Sequence, residues 1–245
     1  PARFAIRRGN TVEAREDPGA GASRVTHIVG GAARDAAKQL RERLERETGL
    51  RLIEDRFVDE DNRTSESFEA VVARLCASEP IEIVGTFDGT HADGSHPADY
   101  SFSAYCVEVE VDRETGAFRL LDVLFVVDVG TIVNPIAHQG QIAGGFVFGL
   151  GNAIMEELPV EDGKVAALSF AEYKLPTIAD LPPLRTVHVE SAHAGGPFGA
   201  KMAGELSNTA VAPAIANAIA SAVGVRVNAL PITAERVYTA LIASA

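Results

Sequence analysis

The sequence predicts an α+β fold in which mixed sheets pack against apolar helices. Three observations predict it. Residues 103–111 and 118–127 alternate apolar and polar side chains at the period of half-buried strands. Asp112-Arg113-Glu114-Thr115-Gly116 joins them as a hairpin turn. Two apolar stretches, 142–155 and 209–225, are short or broken by Gly, Asn and Pro, so they read as buried helices rather than membrane spans. Strands and helices intermix without the regular βαβα rhythm of a doubly wound sheet. With 245 residues, 47% of them hydrophobic, the chain can bury one large core. It can also form two coupled subdomains, 1–88 and 100–245, joined by a loop at 89–99 that is rich in Gly, His, Pro and Asp.

Taken in order, 25–29 reads as a short strand, and Gly30-Gly31 leads into a helix over 32–47. Its apolar face carries Ala36, Ala37, Leu40 and Leu44, and Gly49 stops it. Basic and acidic residues alternate along 34–51 at helical spacing, the pattern of a solvated face laced by ion pairs. Leu52-Ile53 and 56–58 form a small hairpin, and Ser65 or Ser67 caps a second helix reaching Cys76. Residues 81–87 read as a strand. Asn134-Pro135 opens a helix to about Leu158, and short strands at 165–170 and 185–189 precede a glycine-rich loop.

Composition narrows the function. A net charge of −12 argues against a nucleic-acid groove or an anionic membrane surface as partner. Two cysteines, Cys76 and Cys106, are too few for a disulfide framework or a zinc site and read as core thiols in a reducing compartment. With no signal sequence at Pro1-Ala2-Arg3-Phe4, the expected location is cytoplasmic. Residues 195–201 lack the Gly-Lys-Ser/Thr of a phosphate-binding P-loop, and Gly149-Leu150-Gly151 lacks the third glycine and the preceding strand of a dinucleotide site. The six histidines show no ligand spacing.

The stretch that carries chemistry is Ala194-Gly195-Gly196-Pro197-Phe198-Gly199-Ala200-Lys201-Met202-Ala203-Gly204-Glu205. Glycines let a backbone approach a ligand closely, and the carboxylate at the end of the loop opens an apolar helix. Glu205 is therefore either a helix-start carboxylate or a base held beside whatever the loop grips.

Several segments, in order, resemble the C-terminal half of the molybdopterin-binding subunit of molybdenum hydroxylases. This family includes xanthine dehydrogenase, aldehyde oxidoreductase and nicotinate dehydrogenase. The segments are Val126-Val127-Asp128-Val129-Gly130-Thr131-Ile132-Val133-Asn134-Pro135, then Gly140-Gln141-Ile142-Ala143-Gly144-Gly145-Phe146-Val147-Phe148-Gly149-Leu150-Gly151 with Glu156-Glu157-Leu158, then Glu172-Tyr173-Lys174-Leu175-Pro176, and finally Gly199 to Glu205. Upstream, Gly21-Ala22-Ser23-Arg24-Val25-Thr26 is similar to the family's Gly-Ser-Arg-Ser/Thr segment.

The resemblance implies an α+β molybdopterin-binding domain of the xanthine dehydrogenase type. Its metal is held by the dithiolene of a pterin, expected in the cytosine dinucleotide form, with no amino-acid ligand. It implies Glu205 as general base in hydroxylating an electron-poor carbon of an N-heterocycle. An aldehyde-oxidising enzyme and a non-catalytic scaffold subunit are the alternatives. Gln141 is implied to reach the pterin, unless it is a helix polar residue facing a neighbouring chain. Ser23, Arg24 and Thr26 are implied to line the cofactor or its phosphate, with surface-loop polarity as the other reading. Backbone N–H groups of Phe198, Gly199, Ala200 and Lys201 are implied to contact the cofactor, while the Lys201 ammonium meets an anion or solvent. Many relatives carry a second glutamine where this chain has Phe148, a departure that bears on the cofactor contacts. The implied partners are a chain carrying the N-terminal half of the subunit, an iron–sulfur chain and an FAD chain, with a small-molecule substrate.

Overall fold

The computed structural model describes residues 5–6, 9, 12, 19–61, 63–89, 100–191, 193 and 195–244. The expected joining loop lies, from residue 90 to 99, outside the described residues.

The first helix, α1 (Val25–Thr48), begins seven residues before the expected start at 32 and absorbs the segment expected to be a strand. The β-branched run 25–29 and Gly30-Gly31 argue locally for strand and turn, and packing overrides both. A Cβ on Gly31 would lie 2.4 Å from the Phe87 ring, and one on Gly30 would lie 2.9 Å from Pro197. These glycines serve close approach, not a break. Gly49 ends the helix in the left-handed conformation at φ 68°, and ion pairs Lys38–Glu42, Arg41–Glu45 and Arg43–Glu47 lace its outer face.

Strands β1 (Arg51–Ile53), β2 (Arg56–Val58) and β3 (Ser65–Ser67) form an antiparallel sheet. Ser67 then caps α2 (Phe68–Leu75) by accepting the Ala70 N–H at 3.2 Å. Leu44, Phe57 and Val71 make a small core there. The expected strand at 81–87 is extended chain with no ladder. It runs along α1 so closely that a Cβ on Gly85 would meet the Ala32 carbonyl at 2.0 Å, and Thr86 N–H donates to Asp35 at 3.0 Å.

The larger core rests on β4 (Phe102–Val111) and β5 (Phe118–Asp128), antiparallel from Phe102↔Asp128 to Val111↔Phe118 with a bulge at Glu108/Val109. Strand β8 (Leu184–His188) joins β5 in parallel. Helices α3 (Pro135–Ile154) and α5 (Val211–Val223) cover the inner face, burying Phe146, Leu150, Ile215 and Ile219 against Val123. Each such side chain stabilises the fold by about 1.5–3 kcal/mol on burial. Gly149 permits the α3–α5 contact, since a Cβ there would meet Val211 at 2.6 Å. Helix α6 (Ala234–Ala243) adds Val237 and Leu241 to the same core.

Three further expectations differ. Helix α3 ends at Ile154, not Leu158, where the Glu156 N–H reaches five residues back to the Gly151 carbonyl instead of four. Of the strand expected at 165–170, only β7 (Lys164–Val165) pairs, with β6 (Val160–Glu161). Cys106 is exposed and Cys76 half-buried rather than core. The alternation that turns Tyr105 and Val107 inward carries Cys106 outward with Glu108.

Candidate functional site

The glycine-rich loop is zipped onto the end of β5. Gly130 and Ala200 form an isolated bridge, Thr131 N–H donates to the Gly199 carbonyl at 3.0 Å, and Lys201 N–H donates to the Val129 carbonyl at 2.7 Å. Gly130, at φ +65°, has no room for a side chain, since a Cβ would stand 2.2 Å from the Gly199 oxygen. Gly199 N–H and Ala200 N–H bond to the Gly196 and Pro197 carbonyls. So three of the four backbone donors expected to contact a cofactor, those of Gly199, Ala200 and Lys201, are used inside the fold. Phe198 sits at φ 55° with its ring 78% exposed.

Lys201 meets neither solvent nor a free anion. Its buried Nζ donates to Asp128 Oδ2 at 3.0 Å and to Ser191 Oγ at 2.8 Å, and lies 5.8 Å from the Phe102 ring centre. Desolvation pushes the Asp128 carboxyl up, but hydrogen bonds from Ser191, Gly130 N–H and Lys201 outweigh it and bring the pKa to about 2. Asp128 and Ser191 were not singled out by sequence reasoning. The signal available for Asp128 was a lone acid closing the apolar run of β5.

The loop then leads to Glu205, which stands at the N-cap position of α4 (Leu206–Thr209) and makes no side-chain cap. Its main-chain carbonyl accepts the Asn208 and Thr209 N–H groups, while its carboxylate turns away toward Ser23. Ser23 Oγ donates to Glu205 Oε2 at 2.9 Å and accepts the Glu205 N–H at 2.8 Å. Gln141 on α3 donates through Nε2 to the Gly204 carbonyl at 3.2 Å. Ser207, the buried residue two on, donates to the Gln141 carbonyl at 3.3 Å.

Two clefts meet at this point. The larger, about 550 Å³, is lined by Ser23, Thr26, His138, Gln141, Lys201 and Glu205 among others. The smaller, about 370 Å³, is lined by Gly140, Gln141, Gly144, Phe148, Gly204 and Glu205 among others. Phe148 presents a ring 73% exposed, and nothing lies within 4 Å of the Cβ positions of Gly140 and Gly144. The structure thus brings Glu205, Gln141, Ser23, Thr26 and Lys201 around one cleft. Arg24 instead donates to the Gly19 carbonyl at 3.3 Å. His138 is held toward its neutral form by desolvation and by the neighbouring His188, 5.1 Å away between ring centres. Its Nε2 is buried and accepts or donates no hydrogen bond.

Among the described residues no three His, Cys, Asp or Glu side chains converge as metal ligands. The polar side chains around the clefts are amides, hydroxyls, the His138 imidazole, the Lys201 ammonium and the Glu205 carboxylate, a set suited to a polar organic group.

Comparison with known proteins decides which. The molybdopterin cofactor-binding domain family matches residues 1–182. The chain belongs to that family. Among its relatives is the 6-hydroxypseudooxynicotine dehydrogenase complex subunit gamma of Paenarthrobacter nicotinovorans, 33% identical over 238 residues, which cover 90% of this chain and 30% of the relative. Quinoline 2-oxidoreductase from Pseudomonas putida 86 superposes with a TM-score of 0.77 at 26% identity, over 90% of this chain and 30% of its own. The aldehyde oxidoreductase from Desulfovibrio desulfuricans does so with a TM-score of 0.76 at 30% identity, over 94% and 24%. The domain therefore spans less than a third of the length of these molybdenum hydroxylase relatives.

Proposed function

We propose that this domain works within a molybdenum hydroxylase that places a water-derived oxygen on an electron-poor carbon of an N-heteroaromatic substrate, with Glu205 as the proton acceptor. The observation that carries the reading is the orientation of Glu205: its carboxylate does not cap α4 but is held at the junction of the two clefts. When bound, the molybdenum–pterin cofactor, in the cytosine dinucleotide form, supplies oxygen transfer and two-electron oxidation. In this reading Gln141 and Thr26, which line the larger cleft, are the side chains of this chain that hold it. Ser23 occupies Glu205 Oε2, leaving Oε1 to accept the proton released from the reacting hydroxyl group. Val129, Ile132 and Ala203 line the larger cleft beside that carboxylate, and Glu205 itself is exposed.

The N-heteroaromatic class is supported by the likeness to a quinoline oxidoreductase. The similarity to an aldehyde oxidoreductase supports an aldehyde as the second reading. The gamma-subunit name of one relative supports an assembly with further chains. In this reading they bring the rest of the molybdenum-binding subunit, iron–sulfur clusters and FAD, in the cytoplasm.

The test is Glu205→Gln in the purified complex, with molybdenum measured by elemental analysis and turnover measured on N-heteroaromatics and aldehydes. We expect kcat to fall by about 10²–10⁴-fold with molybdenum content unchanged. Turnover within threefold of the unaltered complex overturns the role of Glu205. Turnover of aldehydes alone overturns the substrate class.

A further inference from the structure

We infer that Ser23 is a positioning residue for Glu205, acting through the carboxylate rather than as part of the cofactor cradle. The inference rests on the reading of Glu205 as proton acceptor.

One hydroxyl makes two bonds to one residue 182 positions away. Ser23 Oγ donates its proton to Oε2 at 2.9 Å and accepts from the Glu205 main-chain N–H at 2.8 Å. A hydroxyl has a single proton, so the donor is committed to the carboxylate, and the acceptor bond fixes the oxygen against the backbone of the same residue. Together the two bonds restrict both where Glu205 begins and where its carboxylate points. A single bond would leave the carboxylate free to swing.

The surrounding backbone is arranged around this contact. Ala22 and Ser23 both sit at φ 57°, a conformation that L residues with a Cβ adopt at a cost. Strain of this kind persists only where neighbouring contacts over-determine it. On the other side, a Cβ on Gly204 would stand 2.9 Å from Ser23 Oγ and 3.2 Å from Ser23 Cβ, so only glycine lets the hydroxyl reach Glu205. The Gly204 carbonyl is in turn held by Gln141 Nε2. The Gly204–Glu205 step is therefore gripped by α3 on one side and by the turn before α1 on the other.

Two other polar groups on the cleft wall are committed elsewhere. Lys201 Nζ is bound to Asp128 and Ser191, and Gln141 Nε2 to the Gly204 carbonyl.

The experiment uses the assembled, molybdenum-loaded complex with Ser23→Ala and Ser23→Gly, alongside Glu205→Gln. Glycine removes the hydroxyl while relieving the left-handed backbone, so the pair separates hydrogen bonding from strain. We expect both variants to lose kcat by about 10- to 100-fold, with KM within twofold and molybdenum content unchanged. If Ser23→Gly keeps normal kcat, the hydroxyl is not what matters and the inference fails. If either variant loses molybdenum, Ser23 holds the cofactor and the inference fails. If Glu205→Gln abolishes turnover while both Ser23 variants keep kcat within twofold, the inference fails and the role of Glu205 stands. Near-normal turnover in Glu205→Gln instead overturns the reading on which it rests.

Discussion

Lys201→Met should loosen the glycine-rich loop without unfolding the domain. In the native fold the ammonium is buried between Asp128 and Ser191, and its backbone N–H ties the loop to Val129. The fall of the Asp128 pKa from 3.8 to about 2 is worth on the order of 2 kcal/mol in favour of the ionised carboxylate at neutral pH. That sum is a balance of burial against three sets of donors, and Lys201 is one of them. Asp128 keeps Ser191 and the Gly130 N–H in the variant. The loss is therefore closer to one charged hydrogen bond than to a whole buried pair, about 2 kcal/mol. Hydrogen–deuterium exchange on the assembled protein reads this locally. Protection of the Lys201 and Thr131 amides, which join loop and strand, should fall about 30-fold.

The acid side follows from the same carboxylate. Its folded pKa lies below its unfolded one, so its contribution is complete above about pH 4 and is lost as pH falls toward about 2. Removing Lys201 raises the folded pKa, so the variant should show a weaker pH dependence across that window. A protection change under threefold, or an unchanged pH dependence, refutes the account of Lys201 as the latch.

Gly145→Ala should destabilise by about 1–2 kcal/mol even after the gain in helix propensity, because its Cβ would stand 2.0 Å from the buried Ser207 Oγ. Adding Ser207→Gly should restore most of the loss in denaturation midpoint, and a single variant as stable as the parent would refute the packing. Tyr105 should not ionise with ordinary tyrosines near pH 10, since burial pushes its phenol up while Oη donates to the Ser207 carbonyl at 2.7 Å. Ultraviolet titration should show this component appearing only on unfolding, and Tyr105→Phe should delete it; early titration would contradict the burial.

Where side-chain period and turn chemistry act locally, the chain was readable. The β4–β5 hairpin, the Gly49 stop and the Ser67 cap depend on residues a few positions apart. The misread segments share a different cause. Residues 25–29 and 81–87 have strand-like composition, yet one became helix and the other an unpaired chain laid along it. Gly31 and Gly85 were set by the elements that press on them, Phe87 and the Ala32 carbonyl. A glycine reads the same in a sequence whether it breaks a helix or admits a neighbour. Only the neighbour distinguishes them.

The same limit governs the site. Glu205 stood out because an isolated acid closed a glycine-rich loop, but cap and base remained open, since both need a carboxylate at a helix start. What separates them is where the first-turn N–H groups go. In this fold the Glu205 side chain accepts from none of the first-turn N–H groups, and its Oε2 takes the Ser23 hydroxyl instead. The carboxylate is held by a hydroxyl 182 residues away, on a turn with Ala22 and Ser23 at φ 57° that faces Gly204. A cap is a contract within one turn of helix. A carboxylate released from that contract and fixed by a distant segment, at the meeting of two clefts, is arranged for something outside the helix, and the family to which the chain belongs names the cofactor domain in which that arrangement sits.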